Sequence, residues 1–199
     1  MEILKIFSKN SEKVIQKAIK YIRIGKVLVC PTDTVYGLIC DAKNEKAVKK
    51  LFQIKKRSKG KPIPIFVRDI KMAESFAHIN ENQKNFLEKV WLGKITVVLK
   101  RKEDCGLPKI LFGKIRTIGL RIPNFELVNI LLKKLNQPLT GTSANISGRP
   151  ASTKIKEVLK QFENKKNQPD LILDFRDLKP SRPSKVIDLT KGKIKILRK

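Results

Sequence analysis

The sequence predicts an α/β protein, with helices packed around a twisted, mixed sheet. Three observations predict it. Short apolar runs at Val27–Cys30, Pro62–Val67, Lys94–Leu99 and Lys185–Leu189 read as strands, and stretches with helical apolar spacing lie between them. Strands and helices mingle without strict βαβ regularity. No G-x-G-x-x-G follows a strand and no Walker A motif is present, which argues against the Rossmann and P-loop folds. At 199 residues the chain reads as one domain, residues 1–199, with no internal repeat. A chain of this length buries roughly 70% of its unfolded surface and needs no disulfide staples.

Taken in order, Glu2 to Phe7 alternates as an edge strand does. From Ser11, Val14, Ile15, Ala18, Ile19 and Ile22 fall on one helix face, and Gly25 is a natural C′ stop. Val27–Cys30 is a continuous apolar strand ended by Pro31. Asn44 caps a helix whose buried stripe is Ala47, Val48, Leu51 and Phe52. In Pro62–Val67 two prolines at alternate positions suit an edge or a strand start, because neither has an N–H to donate. Asp69–Phe76 is a short helix, and Asn80 with Gln83 forms a capping box for the next, which turns Phe86, Leu87, Val90 and Trp91 inward. Lys94–Leu99 is a strand, Arg101–Lys114 a loop, and Thr117–Pro123 a strand holding Arg121. An arginine there is either on a wet face or committed to a charged partner. Asn124 starts a helix with Leu127, Val128, Leu131, Leu132 and Leu135 inside. Ser152 or Thr153 caps a helix carrying Ile155, Val158, Leu159 and Phe162, and Leu171–Leu173, Lys185–Leu189 and Lys193–Leu197 finish as strands.

Composition narrows the chemistry. Forty-five Lys and Arg against 18 Asp and Glu give a formal net charge of +27, which invites a nucleic-acid reading. The excess is mostly lysine spread along every segment with few aromatics between, so it fits RNA contact and simple solubility alike. Cys30, Cys40 and Cys105 form no C-x-x-C pair, and zinc would need all three together with the one histidine, His78. A Ser-His-Asp mechanism would have to use His78, which stands in a polar stretch with no partner in view. Catalysis is therefore expected from cations, hydroxyls, backbone amides and a magnesium ion. No apolar run approaches the ~20 residues of a membrane span and no signal-peptide core opens the chain, so the expectation is a soluble, cytoplasmic protein.

Three segments carry candidate chemistry. Lys55-Lys56-Arg57-Ser58-Lys59-Gly60-Lys61-Pro62 gathers cations in a turn between a helix and a strand, where they could hold a polyphosphate; alternatively it is a solvated turn in a lysine-rich chain. Pro31 to Leu38 comes straight off a buried strand, where the hydroxyls of Thr32, Thr34 and Tyr36 could line a cleft; alternatively the Asp and Thr side chains there bond local backbone. Thr142-Ser143-Ala144-Asn145-Ile146-Ser147-Gly148 is the third.

Together these segments resemble the YrdC-like family, the threonylcarbamoyl-AMP synthases, over nearly the whole chain. Pro31–Leu38 resembles P-T-D-T-[VI]-Y-G-L, and Lys55-x-Arg57 with Ser143-x-Asn145 resembles the two halves of the family's active-site signature. Trp91–Thr96, Thr117–Pro123, Ser184–Asp188 and Ile196–Arg198 follow in the family's order. Ser58, Leu92, Lys94, Phe66 and Lys185 depart from residues common in the family. The resemblance implies a YrdC-like fold with a large, positively charged concave face. It implies an enzyme joining L-threonine, bicarbonate or carbon dioxide, and ATP into threonylcarbamoyl-adenylate, with release of pyrophosphate. Partner proteins then pass the threonylcarbamoyl group to the adenosine beside the tRNA anticodon. It implies that Lys55, Arg57, Ser143 and Asn145 are catalytic, with Lys55, Arg57 and Lys61 on the triphosphate and Mg2+ bridging the phosphates. Thr117, Asn145, Thr153 and Arg198 would contact the nucleotide. Thr34, Arg121, Ser143 and Ser184 would hold threonine, with Arg121 as a bidentate carboxylate clamp. A competing expectation is an RNA-binding or ribosome-assembly module on the basic face, or weak tRNA binding beside catalysis. Carbamoyl-adenylate chemistry, as in the related domain of the much longer hydrogenase-maturation proteins, is a third.

Overall fold

In a computed structural model of the chain, residues 1–7, 11–58, 60–191 and 193–199 are described. Lys59, one of the cations of the turn, lies outside them. The elements in order are β1 (Glu2–Lys5), α1 (Ser11–Arg23), β2 (Leu28–Cys30), β3 (Gly37–Ile39), α2 (Glu45–Lys55), β4 (Ile65–Phe66), α3 (Ile70–Glu74), β5 (Ala77–His78), α4 (Glu81–Val90) and β6 (Ile95–Arg101). A 3-10 turn at Lys109–Leu111 leads to β7 (Thr117–Arg121), α5 (Glu126–Leu135), β8 (Leu139–Thr140), β9 (Thr142–Ser143), α6 (Ile155–Phe162), β10 (Leu171–Asp174), β11 (Lys185–Asp188) and β12 (Lys195–Arg198).

The strands form two ladders where one was expected. The first runs β1-β10-β2-β3-β9 and the second β12-β11-β6-β7-β4-β8, with β5 paired to the far end of β6. Both are mixed: β1, β10 and β2 are parallel neighbours, whereas β6 pairs parallel to β11 and antiparallel to β7. The ladders meet at the Leu139–Ser143 stretch. Its first residues pair with β4, its last with β3, and the Gly141 N–H between them donates to the Pro64 carbonyl at 2.8 Å. Two-residue strands carry no periodicity, so this crossing has no signature in the sequence.

Alternation along the strands decides what each sheet face does. In β2, Val29 joins one apolar cluster and Leu28 and Cys30 the other; in β10, Ile172 and its neighbours divide the same way. The first sheet is thus buried on both faces, with α1 and α5 supplying Val14, Ile15, Ala18, Ile19, Ile22, Val128, Leu131 and Leu132 on one side. In the second sheet Val97, Leu99, Ile118, Leu120, Ile65 and Ile187 all face the larger cluster, beside Leu51, Phe52, Leu87 and Trp91. Its opposite face is where the cleft lies. β12 is the edge strand of this ladder, pairs only with β11 there, and is exposed along its length, with Ile196 and Leu197 about half in water.

Most local expectations survive. The α1 face is as predicted, and Gly25 sits at φ +76° closing the helix, its N–H on Ile22 O and the Lys26 N–H on Tyr21 O. The Asn44 cap and the Asn80–Gln83 capping box form as expected, and Asp69 proves to be the N-cap of α3. Five differences have physical reasons. β3 was not foreseen, because Gly37 and two apolar residues make a strand too short to show a period. β4 is shorter than predicted and has neighbours on both sides, so its prolines mark a strand start and not an edge. α5 begins at Glu126, because Phe125 is extended at φ −145° as its N-cap, while the Asn124 N–H ahead of it donates to the Asp33 carboxylate at 3.1 Å. Neither Ser152 nor Thr153 is the N-cap of α6; the Ile155 N–H is accepted by Asp177, remote in sequence, at 3.1 Å, while Ser152 Oγ accepts from Lys154. β6 runs on to Arg101, and the segment after it is packed down through buried Leu107, Leu111 and Phe112. No helix among the described residues is long and apolar enough to cross a membrane.

Gly141 has no room for a side chain: a Cβ there would stand 2.6 Å and 2.8 Å from atoms of the buried Phe66 ring. Gly141→Ala is expected to lower the unfolding free energy by about 1–3 kcal/mol. Urea unfolding checks it, and an unchanged midpoint would mean that the joint between the ladders is loose.

Candidate active site

The open face of the second sheet is the floor of a cleft of about 340 Å³. Its residues fall at every second position: Thr96 and Val98 on β6, Thr117, Gly119 and Arg121 on β7, Pro64 and Phe66 at β4, and Ser184 and Val186 at β11. Near the middle the floor is low. A Cβ on Gly119 would lie 3.3 Å from Thr96 Cγ2 and 3.7 Å from Pro64, so only glycine leaves the surface flat there. The walls are the Thr32–Gly37 segment, Arg57 and Pro62, Gly141–Ser143, and Leu197 with Arg198.

Among the described residues, three arginines and no carboxylate line this cleft. Arg57 is held by the turn that follows it: Nε donates to Lys61 O at 3.0 Å and Nη2 to Pro62 O at 2.7 Å. Arg198 donates from Nε to Ser184 O at 2.8 Å and from Nη2 to Ser184 Oγ at 3.2 Å, and Ser184 Oγ shares a 2.9 Å bond with Thr96 Oγ1. Neither forms an ion pair among the described residues. Burial pulls both guanidinium groups below their ordinary pKa, although a guanidinium stays charged. Two orientated cations without counter-charge on one cleft are a receptor for an anion.

Arg121 differs. It is 3% exposed and its Nη2 meets Asp33 Oδ1 at 2.6 Å, with Nε on Gly93 O at 3.0 Å and Nη1 reaching Thr34 Oγ1 at 3.4 Å. Of the two readings of an arginine in this strand, commitment to a charged partner holds. Part of the fork expected to clamp a carboxylate is therefore already engaged by Asp33, for which the sequence suggested only a bond to local backbone.

Lys55 is the largest departure. Its ammonium does not enter the cleft. It is 2% exposed and lies beneath the Ser143–Asn145 turn, 2.6 Å from Ser143 O, 2.7 Å from Asn145 Oδ1, 3.0 Å from Asn145 O and 3.4 Å from Ser143 Oγ. Ser143 Oγ donates to Asn145 Oδ1 at 2.6 Å, and Asn145 Nδ2 donates to the Ile146 and Arg149 carbonyls. Burial first, and the Arg57 guanidinium second, pull the Lys55 pKa down to about 7. The K-x-R and S-x-N segments are thus brought together, but Lys55 and Asn145 fix the turn and Ser143 alone of the three lines the cleft.

Of the residues expected at the site, Thr34, Arg57, Thr117, Arg121, Ser143, Ser184 and Arg198 line one cleft. Lys61 does not: its side chain is exposed and its carbonyl anchors Arg57. Thr153 is not among the lining residues either; it precedes α6, and its carbonyl accepts the Leu178 N–H at 2.9 Å. The Tyr36 hydroxyl is also committed, donating to Arg176 O and accepting the Phe175 N–H. Thr32 bonds locally, to Val35 O at 2.7 Å. Sequence reasoning missed Pro64, Thr96, Val98, Gly119, Gly141 and Val186. The signal that could have found most of them is small or polar residues on alternate positions of predicted strands. No group of three or more metal-ligating His, Cys, Asp or Glu side chains occurs among the described residues.

Fold and cleft define an α/β protein with an open sheet face lined by hydroxyls and arginines. The comparisons make that class specific. Residues 20–199 match the Sua5/YciO/YrdC family model, described as telomere recombination. A protein named putative threonylcarbamoyl-AMP synthase from Methanocaldococcus jannaschii is 38% identical over 196 residues, covering 97% of this chain and 90% of that one. The crystal structure of Pyrococcus abyssi Sua5 complexed with L-threonine superposes with a TM-score of 0.91 at 32% identity, over 100% of this chain and 57% of that one. Escherichia coli YciO superposes with a TM-score of 0.85 at 25% identity, covering 94% of its chain. This chain belongs to the Sua5/YciO/YrdC family. It spans most of the M. jannaschii relative but just over half of the P. abyssi protein.

Replacing Lys55 with methionine leaves the Ser143 and Asn145 acceptors facing an apolar chain end, which should cost about 2–4 kcal/mol. A lysine whose folded-state pKa lies below its unfolded value binds fewer protons when folded between the two. Stability from this group therefore rises as pH climbs from about 7 toward the ordinary 10.5. Urea titrations at pH 7 and 9 should show that rise in the wild type and a flatter response in Lys55→Met.

Proposed function

We propose that the chain is a threonylcarbamoyl-AMP synthase, forming L-threonylcarbamoyl-adenylate from L-threonine, bicarbonate or carbon dioxide, and ATP. The observation that carries the reading is the pairing, in one cleft, of two arginines lacking ion-pair partners with the Thr34, Ser143 and Ser184 hydroxyls. That is what an enzyme holding a triphosphate beside an amino acid requires. The threonine-bound relative and the synthase names carried by relatives support it.

In this reading the threonine amine takes up carbon dioxide, or bicarbonate with loss of water, to give a carbamate. A carbamate oxygen forms the new bond to the α-phosphorus, the bond from that phosphorus to the bridging oxygen breaks, and pyrophosphate leaves. The reaction depends on positioning and on stabilising charge at phosphoryl oxygens, and needs no histidine. Arg57 takes phosphate oxygens, and Thr117 and Arg198 contact the nucleotide. Ser143 is presented to the reacting groups by Lys55 and Asn145. Thr34 and Ser184 orient threonine, and the free part of the Arg121 fork faces its carboxylate. Mg2+ carried on the ATP phosphates would neutralise charge on the departing pyrophosphate. The product serves threonylcarbamoyladenosine formation in tRNA, handed on by downstream transfer proteins.

With magnesium present, threonine and bicarbonate together are expected to stimulate pyrophosphate release from ATP, and no response to either would end the proposal. Arg57→Ala is expected to lower kcat/KM by about 100-fold or more, whereas Lys109→Ala should stay near wild type. Tight, steeply salt-dependent RNA binding without such turnover would point instead to an RNA-binding module.

A further inference from the structure

Arg57 cannot hold its own position. Its guanidinium is aimed by two carbonyls, Lys61 O and Pro62 O, so its place in the cleft depends on the backbone of the turn behind it. That backbone touches one other segment closely. Gly113, in the loop after β6, stands so near Gly60 that a Cβ on it would lie 2.8 Å from Gly60 Cα and 3.6 Å from Gly60 N. These are backbone atoms, with no rotamer to move aside. One residue past Pro62, the Ile63 N–H donates to Leu111 O at 3.1 Å.

The loop is itself anchored. Leu111 and Phe112 are buried, the Arg101 guanidinium lies 4.8 Å over the Phe112 ring, and the Gly113 N–H donates to Lys109 O at 2.9 Å. Gly60 and Gly113 both hold positive φ, +94° and +63°, where L side chains rarely go. This close approach of two backbones, flanked by the Ile63–Leu111 and Gly113–Lys109 hydrogen bonds, makes a shim.

We propose that Gly113 is a positioning residue for anion binding: by its contact with Gly60 it sets the Lys61 and Pro62 carbonyls, and through them the Arg57 guanidinium, although it never lines the cleft. The proposal rests on Arg57 as the phosphate contact, and one internal comparison isolates the shim from general loop strain. Gly106 lies in the same loop at φ +67°, and a Cβ there would meet nothing within 4 Å. Gly113→Ala and Gly106→Ala thus impose the same kind of backbone strain, but only the first pushes on Gly60.

The test is calorimetric titration with inorganic triphosphate and magnesium, beside steady-state pyrophosphate release. Gly113→Ala is expected to weaken triphosphate binding and raise KM for ATP about tenfold, with kcat and KM for threonine little changed. Gly106→Ala should bind triphosphate as the wild type does. Phe112→Leu, which loosens the anchor without adding an atom near Gly60, should shift the same constants in the same direction, and it supplies the test if Gly113→Ala does not fold. Equal effects of the two glycine variants, or unchanged triphosphate binding in Gly113→Ala or in Phe112→Leu, would overturn the proposal. Triphosphate binding is read without turnover. A wild type that binds triphosphate but makes no threonine-dependent pyrophosphate therefore refutes the synthase reading alone, and one that binds none refutes both.

Discussion

A sheet face that no helix covers must be wettable, and that constraint shapes the rest of this molecule. In the second ladder one set of alternate residues, Val97, Leu99, Ile118 and Leu120 among them, fills the core. The other set has to meet water or a ligand, and it is small or polar: Thr96, Val98, Thr117, Gly119 and Ser184. The pleat makes the two sets inseparable, since a one-residue slip would exchange them. Binding surface and core are therefore specified by the same strands, and the cleft is as rigid as the sheet beneath it. The loops need only supply walls.

Charge follows the same economy. Around the cleft, Arg57 and Arg198 are aimed by carbonyls and Arg121 by a carboxylate, while Lys55 is buried among neutral oxygens. Carbonyl partners orient a cation without cancelling it, so the field of Arg57 and Arg198 stays available to a ligand. Asp33 cancels the charge of Arg121 but fixes one side of its fork, and it also accepts the Asn124 N–H just ahead of α5. Lys55 sits between these cases. It tethers the end of α2 to the Ser143–Asn145 turn across a long stretch of sequence, and its single ammonium replaces hydrogen bonds that the turn cannot make to itself.

Much of this was legible in the amino-acid order. Helix faces, caps and the longer strands carry periods of 3.6 and 2, and the α1 face and the Asn80 box are written there residue by residue. The motif segments also converge in space, since Thr34, Arg57, Ser143 and Ser184 line one cleft. What could not be read is long-range and geometric. Lys55 and Arg57 are separated by one residue, yet one turns under the Ser143 turn and the other into the cleft, because Lys55 ends α2 and Lys56 adopts φ +48° before Arg57. Asp177 capping α6 and the division into two ladders depend likewise on contacts between distant segments, which no local pattern encodes.

The C-terminal strand has a different consequence. Leu197 and Arg198 close one side of the cleft, yet β12 has one neighbour in its ladder and little of it is buried. Elements with so few buried contacts detach at far lower free energy than the core unfolds. The floor and the opposite walls belong to the cooperative unit, so the enclosure resembles a room with three masonry sides and a folding screen. That side can come away while the masonry stands.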